Sequence, residues 1–401
     1  MSRIIRVEIG RFDYQVVGEF KFFKPGSDGH VRRPSVLVRL TDENGVEGWG
    51  QAVPVPSWTY ETVEGVHSTL EFYLAELLIG SDPADFAGLH ATLNTAIRPA
   101  FSVGQPLCKA ALDLACHDLA GKQRGVPAWR LFNSSVGASS LAMDHAASRA
   151  STLLPQRATL PALTLSWTVA SPKMETIERQ LAEGRARGYR NFNIKVGAPQ
   201  TADYDLELAR KVRAFAPDSF LWADANTGYT PEQALAIAPK LRDAGVDVLE
   251  SPLSPTQIRG YQALKKQGAL PVLMDEGILA PEVATEFIAL DMLDGIAMKP
   301  ARNAGLWPSV QIVNQLLDRG LMVLGSGLTD PDFSLAGAMQ LFAWSGITKP
   351  CALNGPQFLA DSLFGDANQP QGDVLPLPTA PGLGFTPDPR AAACLRIVAH
   401  A

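Results

Sequence analysis

The sequence predicts an α+β segment followed by a closed, parallel βα barrel. Three observations carry this reading. Strand patterns precede helix patterns over roughly the first 135 residues. From about 161 onward the two alternate. Charged side chains then close one strand-like run after another: Lys195, Asp224, Glu250, Asp275 with its neighbour Glu276, and Lys299. Successive members stand roughly 25 residues apart, about one βα unit of a barrel. A doubly wound sheet gathers its site at one switch point, whereas charges closing strand after strand need a mouth shared by all of them.

Taken in order, IIRVEIGRFDYQVV alternates as a half-buried strand does. SVLVRLTDENGVEGWG holds a hairpin signal at Glu43-Asn44-Gly45, and VEGWGQAV resumes the strand pattern. Helical periodicity follows over 60–79, 83–96 and 105–122, and KAALDLACHDLAGKQRG closes on Gly125 as a helix C-terminus does. Residues 136–160 are small, polar and aperiodic, and read as a linker or insertion. Strand-like runs then fall near 163–169, 191–196, 219–224, 246–250, 271–275, 294–299 and 321–325. Helical runs between them include 174–188, 203–215, 231–243 and 304–319. These strands are apolar and β-branched without alternation, which suits a parallel sheet covered on both faces. An eighth strand signal, CALN at 351–354, is weak. The tail after 370 is rich in Pro and Gly and ends in ACLRIVAH, which can return to the first domain. The expected division is 1–135, 136–160, 161–370 and 371–401.

Bulk properties exclude several functions. A net charge of -6 and the lack of a basic run argue against nucleic acid as a partner. No apolar stretch reaches spanning length without charge, so no membrane segment is expected, and the N-terminus lacks a signal-peptide core. Cys108, Cys116, Cys351 and Cys394 form no CxxC pair and read as thiols in a reducing cytoplasm. The six histidines are His30, His67, His90, His117, His145 and His400, so the predicted barrel contains none. That disfavours a barrel zinc site built on histidine. No nucleotide-binding glycine motif opens a helix, and Ser326-Gly327 lacks the surroundings of a nucleophilic serine.

What remains is oxygen and amine chemistry. Asp224, Glu250 and Asp275 on three successive strands can supply three hard oxygens to a divalent cation such as Mg²⁺, leaving room for a substrate carboxylate. A single acid at such a position more often caps or pairs within its own loop; three at matching positions need a common cause. Lys195 and Lys299 close strands two and six and would lie on opposite faces of a bound ligand. Each also has a plain alternative role as an ion-pair partner. A lysine beside a divalent cation and another ammonium is pushed toward neutrality and can act as a base.

Several of these segments resemble the enolase superfamily, in its muconate-lactonising branch, over most of the chain. ALDLACHDLAGKQRGVPAWRLF is similar to the helix closing that family's capping domain, and NIKVG to its KxK strand. ADANTGYT, VLESPL and LMDEG are similar to its three metal-bearing strand ends, and IAMKPARNAGL to its second-lysine strand. The resemblance implies a modified (β/α)7β TIM barrel with an α+β capping domain completed by the C-terminal tail. It implies Mg²⁺, with Mn²⁺ able to substitute, held by Asp224, Glu250 and Asp275. Lys195 and Lys299 would be the acid/base pair, and Asn226, Glu276 and Asn193 the groups around them. Capping loops near 20–30 and 50–60 would shape substrate choice. Phe22, Trp58, Ser326 and Asp330 are candidate substrate contacts, with Phe20 and Phe23 beside them. The mandelate-racemase branch, with an Asp and a His on strands six and seven, is disfavoured by Lys299 and the missing histidine. The chain departs from the pattern at Asn193, where relatives carry the first lysine of KxK, in the GSGLTDPDFSL loop, and in the long 136–160 segment.

The implied activity is abstraction of a proton α to a carboxylate through an enediolate, as a racemase, epimerase or cycloisomerase of a small carboxylic acid. A dehydratase of a hydroxy acid shares that intermediate and stays open. From another class, a catalytically silent metal-binding barrel stays open too. A homo-oligomer in the cytoplasm is expected.

Overall fold

A computed structural model describes residues 2–18, 23, 25, 28–99, 104–137 and 159–401. Most of the 136–160 segment, with Phe20, Phe22 and His145, therefore lies outside the described residues. β1 (Ile4–Gln15), β2 (Arg32–Asp42) and β3 (Glu47–Ala52) form an antiparallel sheet. The β2–β3 turn is held by Asp42, whose Oδ1 accepts the N–H groups of Asn44 and Val46. A helix over Pro106–Arg124 lies across this sheet. It comes so close that a Cβ on Gly50 would stand 2.0 Å from the Ala111 carbonyl oxygen, so only glycine fits there. Helices over Val63–Thr69 and Phe86–Ala96 complete the layer. The helix expected over 60–79 is not continuous. After Thr69 it widens into a π turn over Leu70–Leu74 and then tightens into a 3₁₀ turn over Ala75–Leu78, which buries Leu70, Leu74, Ala75 and Leu78.

Next comes β4 (Ala162–Thr164), followed by the strands of the barrel. These are β5 (Ser166–Val169), β6 (Asn191–Lys195), β7 (Leu221–Asp224), β8 (Val248–Glu250), β9 (Val272–Met274), β10 (Gly295–Met298) and β11 (Met322–Gly325). They pair in parallel with their sequence neighbours in one seven-stranded sheet. The weak eighth signal turns out to be a two-residue bridge that closes the sheet: Cys351 pairs with Leu165 and Ala352 with Ser326. Its main-chain bonds are all 2.8 Å, from Ser166 N–H to the Cys351 carbonyl, from Cys351 N–H to the Thr164 carbonyl, and from Ala352 N–H to the Gly325 carbonyl. β12 (Val374–Pro376) pairs with β4, and β13 (Arg396–His400) adds to β1 at the edge of the first sheet. Among the described residues no helix is long and apolar enough to cross a membrane.

The barrel interior explains where the charged residues stand. Trp222, Val248, Leu273, Ala297, Leu324 and Ala352 form one buried apolar cluster inside it. Side chains two residues apart on a strand share a face. Asp224, Glu250, Asp275, Lys299, Ser326 and Asn354 each follow a member of that cluster by two residues. The apolar layer is the floor, and the polar residues stand directly above it at the C-terminal mouth.

The cap helix is fixed to the barrel by Asp113, a fully buried carboxylate. It accepts the Leu306 N–H at 2.5 Å and stands 2.9 Å from His90 Nε2 and 3.2 Å from His117 Nδ1. Burial opposes its ionisation, but His117 and His90 outweigh burial and hold the carboxyl below its ordinary range. Leu306 opens the helix that follows Lys299, and Gly305 before it has φ 116 with its Cβ position 2.4 Å from Asp113 Oδ2. Asp113 thus caps a barrel helix from another domain layer. Asp113→Ala is expected to lower unfolding free energy by roughly 3 kcal/mol, because three donors lose one buried acceptor. Urea titration measures this, and a loss under about 1 kcal/mol would remove Asp113 from that role.

Candidate active site

Strand register brings the predicted residues together at one mouth. Lys195 lies opposite Asp224 across β6 and β7, and Asp224 opposite Glu250 across β7 and β8. The Lys195 ammonium sits on Asp224 Oδ2. The Lys299 ammonium sits on Asp275 Oδ2 and stands 3.7 Å from Glu250 Oε1. Asp224, Glu250 and Asp275 are almost wholly buried. Trp222 from the floor donates its indole N–H to Glu250 Oε2 at 2.5 Å, while Glu250 Oε1 makes no hydrogen bond.

The turns beyond these strands are tightly built. Asn226 gives its main-chain N–H to Asp224 Oδ1 at 2.8 Å. Its amide reaches Asp224 Oδ2 at 2.7 Å and Glu276 Oε1 at 3.3 Å. Asn226, Thr227 and Ser251 all hold left-handed backbone, with φ of 44, 64 and 41. Non-glycine residues in that region are uncommon and concentrate where the surroundings over-determine them. Asn193 is gripped through its side-chain oxygen by the hydroxyls of Ser166 and Thr168, each at 3.1 Å.

Electrostatics follows from crowding. Burial, then the neighbouring Asp224, push the Glu250 carboxyl well above its ordinary range. Burial and the charges of Asp275 and Asp224 push Glu276 up to about 7. Burial alone would favour neutral Lys299, but Asp275 and Glu250 outweigh it and keep the ammonium charged.

Sequence reasoning missed Arg302, three residues past Lys299 in IAMKPARNAGL. It is buried, bonds the second oxygen of Asp275, and lies 5.5 Å from the Trp58 ring. An arginine at helical spacing from a strand-end lysine was the available signal. Lys195, Lys299, Asn193, Asn226, Trp58 and Ser326 line one cavity, together with Phe23, Val55, Leu328, Thr329 and Asn354. Phe22 lies outside the described residues. Asp330 lies beside the cavity-lining Leu328 and Thr329 and is not itself among the lining. Its oxygens fold back to accept the Leu328 N–H at 2.9 Å and the Ser334 hydroxyl at 2.6 Å, so it shapes the loop.

Among the described residues no three acidic, histidine or cysteine side chains stand arranged as a ready-made metal cage. The reason is visible: ammonium groups lie on Asp224 and Asp275. The donor set nonetheless suits a hard divalent cation. Three oxygen-bearing side chains share one strand-end level, Glu250 Oε1 makes no hydrogen bond, and like charges are buried side by side.

Known proteins share this architecture. The N-terminal domain of mandelate racemase and muconate lactonizing enzymes matches residues 27–132, and the enolase C-terminal domain-like family matches residues 176–391. The chain is 25% identical over 363 residues to a chloromuconate cycloisomerase of Cupriavidus necator, covering 89% of this chain and 90% of that one. It is 24% identical over 354 residues to the L-Ala-D/L-Glu epimerase of Clostridium acetobutylicum, covering 87% and 90%. The N-succinyl Arg/Lys racemase of Bacillus cereus superposes with a TM-score of 0.83 at 20% identity over 99% of this chain and 100% of that one. The muconate lactonizing enzyme of Pseudomonas putida does so with 0.81 at 23% over 98% and 100%.

The cap loop that carries Trp58 is anchored by Glu61. Glu61 Oε1 accepts the Leu107 N–H at 3.0 Å, at the N-terminus of the cap helix. Burial outweighs that bond and pushes the carboxyl from 4.5 to about 7. A folded-state value above the unfolded one means that the native state binds the extra proton. Stability therefore falls as pH rises from about 4.5 through about 7, by roughly 3 kcal/mol for this group. Glu61→Gln should remove that dependence. Urea unfolding at pH 5 and pH 8 checks it: the variant should gain on the wild type at pH 8, and an equal difference at both values would sink the assignment.

Proposed function

The chain belongs to the mandelate racemase and muconate lactonizing enzyme family of the enolase superfamily, and from that premise we propose that it abstracts a proton α to the carboxylate of a small acid through an enediolate, as a racemase, epimerase or cycloisomerase. One observation carries this reading. Lys195 and Lys299 stand on β6 and β10, the second and sixth of eight positions round the barrel, and both line the cavity beside the three buried carboxylates.

Strands four apart in an eight-membered ring lie on opposite sides, so the two amines approach a bound substrate from opposite faces. A neutral amine on one face takes the α-proton; an ammonium on the other supplies one. The enediolate carries extra negative charge, which the cavity-lining ammonium groups would offset, while Arg302 holds Asp275. Asp224, Glu250 and Asp275 would hold the divalent metal, Mg²⁺ with Mn²⁺ as a substitute, which supplies stabilisation of charge on the carboxylate oxygens when bound. Asn226 and Trp222 orient two of those ligands. Apolar Val55, Phe23 and Trp58 line the cavity from the cap.

Incubation with Mg²⁺ and a carboxylate library in D₂O, read by mass spectrometry, tests this. At least one acid should gain α-deuterium; no exchange with any member once metal binding is confirmed would count against the mechanism. Loss of water from a hydroxy acid in the same screen would point to the dehydratase instead. Lys195→Ala and Lys299→Ala should each lower exchange at one face by about 10²–10⁴-fold. Full exchange in both variants would overturn the assignment of bases. Removing metal with EDTA should stop exchange, and Mg²⁺ or Mn²⁺ should restore it; exchange that persists without metal would exclude the carboxylates as a required metal site.

A further inference from the structure

Arg33 on β2 is a fully buried guanidinium whose hydrogen bonds among the described residues all go to main-chain carbonyls. Nη1 donates to Pro34 at 3.0 Å and Pro54 at 2.7 Å. Nη2 donates to Val53 at 2.6 Å and to Leu328 at 3.0 Å. That second nitrogen therefore spans two separate parts of the molecule. Val53 and Pro54 lead into the cap loop that carries Val55 and Trp58. Leu328 belongs to the loop after β11. Both loops wall the candidate active site.

Such an arrangement is costly. Beyond those carbonyls the guanidinium stands 5.8 Å from the Phe23 ring, and no carboxylate among the described residues bonds it to supply the neutralising charge that usually accompanies burial. Burial pulls Arg33 down to about 10, with Asp330 opposing, so it still carries its charge at neutral pH. The Leu328 peptide is gripped at both ends, its N–H by Asp330 and its carbonyl by Arg33. Thr329 comes next, a β-branched residue held at φ 55 against the cavity. Left-handed backbone is unfavourable for a β-branched residue and persists only under constraint. The two bonds on Leu328 stand directly before that residue.

We propose that Arg33 is a specificity-determining positioning residue: by tying the Val53–Pro54 carbonyls to the Leu328 carbonyl, it fixes the distance between the cap wall and the barrel wall of the substrate cavity. The proposal rests on the reading that this cavity holds the carboxylate substrate. It assigns to Arg33 the size of the group that fits beside the carboxylate, and no role in proton transfer. Lysine is a poor replacement, because a single ammonium cannot place two nitrogens on two pairs of carbonyls as the planar fork does.

The test compares wild type, Arg33→Lys and Arg33→Met in two ways. The first is hydrogen–deuterium exchange of the main chain, which needs no substrate. Amides in 53–61 and in 326–332 should both exchange at least tenfold faster in the variants, while those of 306–318 keep their protection. Loosening of one loop alone, of neither, or of the whole molecule equally would overturn the proposal. The second uses N-acetyl, N-butanoyl and N-hexanoyl derivatives of one amino acid that undergoes α-exchange. KM should rise at least tenfold more than kcat falls, and the kcat/KM ratio of the longest to the shortest acyl group should shift at least fivefold. An equal fall in kcat across the series with KM unchanged would mean a merely structural role and would overturn it as well. Failure of the α-exchange screen sinks the proposed reaction while leaving the loop measurement to decide on Arg33. Should Arg33→Met not fold, Arg33→Lys is read by the same criteria.

Discussion

Burial of several carboxylates side by side is the constraint on which the rest of this molecule depends. Asp224, Glu250 and Asp275 stand on adjacent strands with almost no solvent, above an apolar floor. Like charges in low dielectric repel strongly, so the fold must either protonate them or bring cations to them. It does both. Glu250 and Glu276 are pushed toward the protonated form, and Lys195, Lys299 and Arg302 come in on Asp224 and Asp275. On the proposed reading, a divalent cation and an anionic substrate would share in balancing these charges. The same amines that balance the acids are the ones proposed for proton transfer.

The barrel supplies level and register, and the cap supplies walls. Asp113, Glu61 and Arg33 are buried charged residues of the cap, and each meets main-chain groups that would otherwise lack partners. Asp113 takes the N-terminus of the helix after Lys299; Glu61 ties the Trp58 loop to the cap helix; Arg33 gathers carbonyls from both sides of the cavity. Main-chain groups do not change with side-chain substitution. Such bonds therefore hold geometry while the residues lining the cavity remain free to vary.

Much of this was legible in the chain because it follows from local period. The barrel strands were readable as apolar runs, and their charged ends could be placed to within a few residues because inward-facing side chains recur every second position. The eighth strand was weak because it is only a two-residue bridge at Cys351 and Ala352. The 60–79 helix was misread as regular because a π turn leaves the apolar spacing nearly helical. Asp330 looked like a cavity residue from its place beyond a strand, yet its carboxylate turns back on Leu328 and Ser334.

The sequence by itself determined the fold class, the order of strands and helices, and which residues would end the strands, because periodicity and residue chemistry are local properties. Only the tertiary structure decided which charges meet. Lys299 pairs with Asp275 and Glu250, Arg302 with Asp275, Asp113 with Leu306, and Arg33 with Leu328, across separations of 24 to 295 residues. Such pairings are set by sheet closure and by the docking of the cap on the barrel, and no run of neighbouring residues carries them. The long-range contacts therefore decide protonation and the width of the cavity, while the strand pattern decides only that there is a mouth for them to meet in.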